Sequence, residues 1–237
     1  MLNHFKYKYD GEYFTLFSMS HLIMLAITIA CIIVVYSMRN SNHAFNIKYF
    51  VLFGLIGSEL TLNLWYIFNG VWNVENTLPF QLCSISLYLS IFMLITEKFF
   101  LFEITFFLGI GGALQALLTP ELYHDFPHYR YFHFFVAHIA IVLASIYMAS
   151  VKKYKPTLKS VWKAMLALNL IAIFVYIINQ LTGGNYMFLS WKPSNASLID
   201  YLGEYPWYLL SLEFVALTMF LILYVVFPIY SYSRIKK

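Results

Sequence analysis

Seven apolar stretches punctuate the chain at about 14–38, 49–72, 80–96, 99–118, 131–151, 161–181 and 207–230. Each approaches the roughly 20 residues needed to cross about 30 Å of hydrocarbon. The pattern predicts an all-α fold: one polytopic bundle of seven transmembrane helices occupying residues 1–237 as a single domain. The first stretch lacks a small-residue cleavage site and is too long for a signal-peptide core, so it is expected to be retained. Residues 182–206 form the last loop, which is long for a mere connection. Gly183 and Gly184 permit a sharp reversal, and Asn185 to Leu189 make an apolar patch that would dip towards lipid. Ser194 or Asn195 is placed to cap a short helix through Asp200, Tyr201 and Leu202, ended by Gly203 and Pro206. The loop reads as an interfacial lid or as a passive interfacial anchor.

Composition agrees with a membrane protein. Of 237 residues, 61% are hydrophobic and only 11% charged, and the mean hydropathy is +0.71. Such a chain cannot present a normal soluble surface. The net charge of +4 does not point to nucleic acid, because the cations gather where topology places them. Arg39, Lys48, Lys98, the loop of Lys152, Lys153, Lys155 and Lys159, and the tail of Arg234, Lys236 and Lys237 fall on one side. The other side holds Lys6, Lys8, Arg130 and Lys192 among Asp10, Glu12, Glu75, Glu121, Asp125, Asp200 and Glu204. The positive-inside rule then predicts an N-terminus outside and a C-terminus in the cytosol. Two cysteines, both inside predicted spans, do not suggest a disulfide framework.

Counting ~1.5 Å per residue from the outer end of each span gives a depth for each polar side chain. His21 and His138 fall roughly 10 Å deep and Cys83 about 5 Å deep. Glu213 lies at a depth similar to the histidines, and Gln115, Asn179 and Gln180 sit near the outer ends of their spans. Ionisable groups in hydrocarbon mark a pocket unless they face protein or water, so the outer thirds suggest a polar cavity. Asn169 falls in the opposite half, as do Glu59, near mid-membrane and either protonated or hydrogen-bonded to a neighbouring helix, and Glu103, near the inner interface. Gly109, Gly111 and Gly112 follow no strand and read as a close helix contact rather than a nucleotide loop.

A thiol becomes a nucleophile beside a base, and histidine is the usual one. Cys83 and His138 are the natural pair, with Glu213 placed to orient the imidazole and Gln81 or Gln115 to donate to an oxyanion. Cys31, in the inner half of the first span, reads as a small hydrophobe. His124, His128, His133 and Asp125 crowd one loop, but only His124 and His128 have a helical ligand spacing, so no metal and no cofactor is expected.

Three stretches carry a family likeness: Leu78-Pro79-Phe80-Gln81-Leu82-Cys83, Gly112-Ala113-Leu114-Gln115-Ala116-Leu117-Leu118-Thr119-Pro120, and Gly184-Asn185-Tyr186-Met187-Phe188-Leu189. It continues through Phe134-Phe135-Val136-Ala137-His138, through Ser197 to Gly203, and through Pro206-Trp207-Tyr208. The chain resembles the family containing bacterial YwaF and vertebrate transmembrane protein 164. The resemblance implies a seven-helix lipid enzyme, an acyltransferase that remodels phospholipids, with the catalytic cysteine and histidine at Cys83 and His138. Its partners would be membrane phospholipid and lysophospholipid, and His21, Asn185 and Tyr186 join Gln81, Gln115 and Glu213 as supporting or substrate-binding residues. Acyl-CoA is cytosolic and highly charged, so an outward-facing site favours a phospholipid donor. If water resolves the intermediate, the same pair makes a lipid ester hydrolase. A transporter or ligand-binding bundle using His21, His138, Glu213 and Asn185 is the alternative, although no duplicated halves accompany it. The richness in Phe, Tyr, Ile, Asn and Lys hints at a bacterial plasma membrane.

Overall fold

The computed structural model describes residues 3–8, 11–193 and 198–232. Among these the chain forms α1 (Met19–Ser37), α2 (Ala44–Phe68), α3 (Leu82–Thr96), α4 (Phe99–Leu118), α5 (Tyr129–Ser150), α6 (Leu158–Thr182) and α7 (Trp207–Tyr232). The described residues contain no strand, and six helices are long and apolar enough to cross a membrane. The seventh, α3, has 15 residues and extends about 22 Å, short of a full hydrocarbon core. It starts at Leu82 rather than Phe80 because Gln81, at φ −68° and ψ 146°, is still extended as the N-cap. Glu97 ends the helix in the left-handed region, at φ 51°. The expected seven full-length spans are therefore six plus one short helix. The expected caps at Ser194 and Asn195, and the tail at Arg234, Lys236 and Lys237, lie outside the described residues.

Local chemistry sets several boundaries. Ser18 caps α1 by accepting the His21 N–H, so this helix begins five residues later than the apolar run. Thr157 and Ser160 form a reciprocal capping box at the start of α6. Gly183, at φ 74°, closes the same helix in a conformation that costs glycine little.

The centre of the bundle is α4 and α5. Within their most apolar windows, 67% and 72% of residues are buried, against 28% or less in the other four long helices. Around α5 pack α1, α2, α3 and α4, while α4 also meets α6 and α7. The α4 glycines make these approaches possible, as close contacts between apolar helices require. A β-carbon at Gly109 would meet Ile141 at 3.2 Å, one at Gly111 would meet Met219 at 3.1 Å, and one at Gly112 would meet Leu82 at 3.7 Å.

At the end of the bundle that carries the lysine loop, Glu97 binds Lys48 at 2.6 Å and Lys152 at 2.5 Å. These ammonium groups, Lys152 first, hold its carboxyl below the ordinary carboxylate range. Glu103 is only 3% exposed. It lies against α6, accepting from Ser160 Oγ at 2.8 Å and pairing with Lys163 at 2.5 Å. Glu59 accepts from Tyr88 Oη at 3.0 Å and from Asn63 Nδ2 at 3.1 Å, the expected tie to a neighbouring helix.

Lys163→Met leaves Glu103 buried with one hydroxyl partner, so it is expected to destabilise the protein by about 1–3 kcal/mol. Adding Glu103→Gln removes the stranded charge and is expected to recover part of the loss. A thermal midpoint in detergent for both variants checks the ordering; a single variant as stable as the parent would contradict it.

Candidate functional site

Cys83 is the second residue of α3. Gln81, the N-cap, is extended (φ −68°, ψ 146°) and places no side-chain atom on the exposed helix N–H groups. Its Oε1 instead accepts the Met187 N–H at 3.0 Å. Cys83 is half-buried, and Ser86, Leu87 and Ser90, at the i+3, i+4 and i+7 positions, are buried. The thiol therefore heads the stripe of α3 that faces the interior. The charged group whose field reaches it is Glu121, in the loop after α4, and burial pushes the Glu121 carboxyl above its ordinary range.

His138 stands on α5, 7% exposed. Its Nδ1 lies 2.6 Å from the Phe134 carbonyl. A carbonyl only accepts, so the proton sits on Nδ1 and Nε2 carries the lone pair. That Nε2 is buried and has no hydrogen-bond partner. Three buried hydroxyls, those of Ser86 on α3, Thr105 on α4 and Ser145 on α5, are also unpartnered. Most buried polar atoms in proteins are satisfied, so the bare Nε2 is informative.

Helices α3 and α5 pack directly. Through α4, Gly112 faces Leu82 while Gly109 faces Ile141 and Ser145. This antiparallel register puts the α-carbons of Cys83 and His138 within about one turn, ~5 Å, of each other in depth. No hydrogen bond joins them, since His138 Nε2 has no partner.

The other expected site residues are tied to the protein itself. His21 Nε2 donates to the Leu117 carbonyl at 2.8 Å and Nδ1 accepts the Phe17 N–H at 3.1 Å, locking α1 to the end of α4. Gln115 Nε2 meets Thr119 Oγ1 at 3.5 Å. Glu213 makes no hydrogen bond to the imidazole. It accepts from Asn169 Nδ2 at 2.9 Å between α6 and α7, and the orienting acceptor on His138 is the Phe134 carbonyl. Asn185 folds its own loop, accepting the Ser190 and Trp191 N–H groups and donating to the Trp191 carbonyl.

Tyr186 is buried, and its hydroxyl donates to the Val74 carbonyl at 2.8 Å and accepts the Leu78 N–H at 2.9 Å. Burial pushes its phenol up. Asn179 holds both of its backbone groups, at 2.9 and 3.0 Å, a role that its position near the end of a span did not disclose. Tyr208 Oη also donates to the Phe188 carbonyl. The first part of the long loop is thus stapled to the entrance of α3, to α6 and to α7. On the crowded histidine loop, His128 Nδ1 accepts the Arg130 N–H and its Nε2 faces the Lys6 carbonyl. Burial holds this imidazole below its ordinary value.

Long apolar helices around a buried polar centre define an integral membrane protein of the helical-bundle class. The chain matches the TMEM164 family model over residues 16–224 and belongs to that family. No curated protein and no solved structure matches it.

Proposed function

We propose that this chain is a membrane-embedded phospholipid acyltransferase that works through an acyl-cysteine on Cys83, in the outer half of a bacterial plasma membrane with its lysine loop in the cytosol. The observation that carries this reading is the His138 imidazole. Its tautomer is set by Phe134, its Nε2 lone pair is buried and unclaimed, and its depth matches that of a cysteine at an uncapped helix start. These are the roles that the family resemblance assigns to the two residues.

In the first step, His138 Nε2 takes the Cys83 thiol proton while sulfur bonds to the ester carbonyl carbon of a glycerophospholipid. The N–H groups at the start of α3 face the position where an oxyanion would form. Collapse breaks the ester C–O bond, and His138 returns the proton to the leaving lysolipid oxygen. In the second step, a lysolipid hydroxyl gives its proton to His138 and attacks the thioester, releasing sulfur, which takes the proton back. Substrate binding must draw the pair together, as catalytic hydrogen bonds are often long in unliganded enzymes. Water in place of the lysolipid would make the same machinery a hydrolase.

The binding-bundle alternative draws on His21 and Asn185, whose polar atoms are already committed to the protein. Intact-protein mass spectrometry after incubation with phospholipid vesicles tests the covalent step. Wild type is expected to gain a hydroxylamine-sensitive acyl mass and to release lysolipid, and Cys83→Ser to do neither. A folded wild type that shows no adduct and no lysolipid across several lipids would reject the proposal.

A further inference from the structure

Arg130, the second residue of α5, lies at the end of the bundle that holds Cys83. Among the described residues, Lys48, Lys152 and Lys163 have carboxylate partners, and no carboxylate lies within ion-pair distance of Arg130. Asp125, five residues earlier in the same loop-to-helix segment, is occupied by Ser20 Oγ and the Phe126 N–H. The half-buried guanidinium is nevertheless held in place. Nη1 donates to His133 Nδ1 at 2.9 Å, and Cζ stands 6.0 Å from the centre of the Trp65 ring. Because a guanidinium only donates, His133 accepts as a neutral ring and leaves the positive charge uncompensated.

An arginine fork positioned in this way, at the edge of a bilayer and without an acid, matches the geometry of a phosphate diester. The spacing along α5 fits a lipid. Arg130 and His138 are eight residues apart, about 12 Å along the helix and about 80° around it. The long arginine side chain and a glycerol backbone together can bridge that separation, with a phosphate at one site and an ester at the other. The field of Arg130 reaches both His133 and His138.

We infer that Arg130 binds the phosphate of the lipid substrate, with His133 and Trp65 as its positioning residues, so that the site takes phospholipids in preference to uncharged diacylglycerols. This inference rests on the acyltransferase reading for the identity of the site.

The test is lipid binding, by native mass spectrometry, to the Cys83→Ala protein, using a dialkyl ether phospholipid and the matching dialkylglycerol, neither of which can be cleaved. Arg130→Gln is expected to weaken phospholipid binding about 10- to 100-fold and leave the dialkylglycerol unchanged, the range for loss of charge-assisted hydrogen bonds. Arg130→Lys, which keeps the charge but loses the fork, is expected to fall between them and serves if the glutamine variant does not fold. Equal phospholipid binding in the parent and in either folded variant, or an equal loss of both lipids, would overturn the assignment. Displacement of the phospholipid by millimolar glycerol phosphate as effective as by lipid would identify a free-phosphate site and also overturn it. Because the ether lipids cannot react, Arg130-dependent selectivity without any acyl-cysteine would sink only the acyl-transfer reading. An acyl-cysteine formed equally from phospholipid and diacylglycerol would sink only this one.

Discussion

His138→Leu is expected to reduce acyl transfer by about 10²- to 10⁴-fold, the usual loss for a general base, while the thermal midpoint holds or rises. Both halves follow from the same geometry. The imidazole is 7% exposed and its Nε2 has no partner, so burying it costs free energy that an apolar side chain of similar size would not. Its other bond goes to the Phe134 carbonyl, which the helical N–H of residue 138 already satisfies. Removing the ring therefore strands nothing. A histidine kept for structure would behave in the opposite way, with stability falling and activity following it. Thermal midpoints and initial transfer rates measured on the same preparation separate the two cases. A large loss of midpoint would reject the base assignment even if activity vanished.

The second large effect is expected at a residue that takes no part in the chemistry. Asn179, 2% exposed, gives its Nδ2 to the Tyr186 carbonyl and takes the Tyr186 N–H on Oδ1. Asn179→Leu preserves most of the volume but leaves two buried backbone groups unpaired, at about 1–3 kcal/mol each. The consequence extends beyond the pair. Tyr186 ties the loop to Val74 and Leu78, next to Pro79 and the start of α3. Gly184 approaches so closely that a β-carbon there would lie 2.5 Å from the Glu75 carbonyl oxygen. Loosening Tyr186 should therefore release the approach to Cys83, and both the thermal midpoint and transfer should fall. Asn179→Asp retains the acceptor and is expected to lose about half as much stability. An Asn179→Leu protein as stable as the parent would show that the loop is held elsewhere.

Hydropathy made the helices legible because the bilayer imposes a length, and α4 begins and ends where its apolar run does. At α3 it ran two residues long, because Phe80 is apolar while Gln81 stays extended as the N-cap. Depth counting placed Cys83 and His138 together, yet it put Asn169 and Glu213 in opposite halves although they share a hydrogen bond. The count starts every helix at one common level, and the hydrogen bond between Asn169 and Glu213 shows that the outer ends of α6 and α7 are offset along the bundle. The acceptor that orients His138 is a main-chain carbonyl, which leaves no trace in side-chain identity. Arg130 had a readable signal in its isolation as an arginine on the acid-rich side, but that no carboxylate among the described residues pairs with it becomes evident only in three dimensions.

The bond from Gln81 Oε1 to the Met187 N–H joins the long loop to the start of α3. In this arrangement the carboxamide oxygen holds the loop and makes no cap on its own helix. While the loop is docked, the first N–H groups of α3 remain free to meet an incoming ester oxygen. Once Met187 lifts away, the same glutamine becomes available to quench them. By reciprocity, any ligand that occupies those N–H groups tightens the hold on the loop by the free energy that the loop contributes to its binding. On the acyltransferase reading, ester binding and loop docking would be coupled through this single side chain, two residues ahead of Cys83.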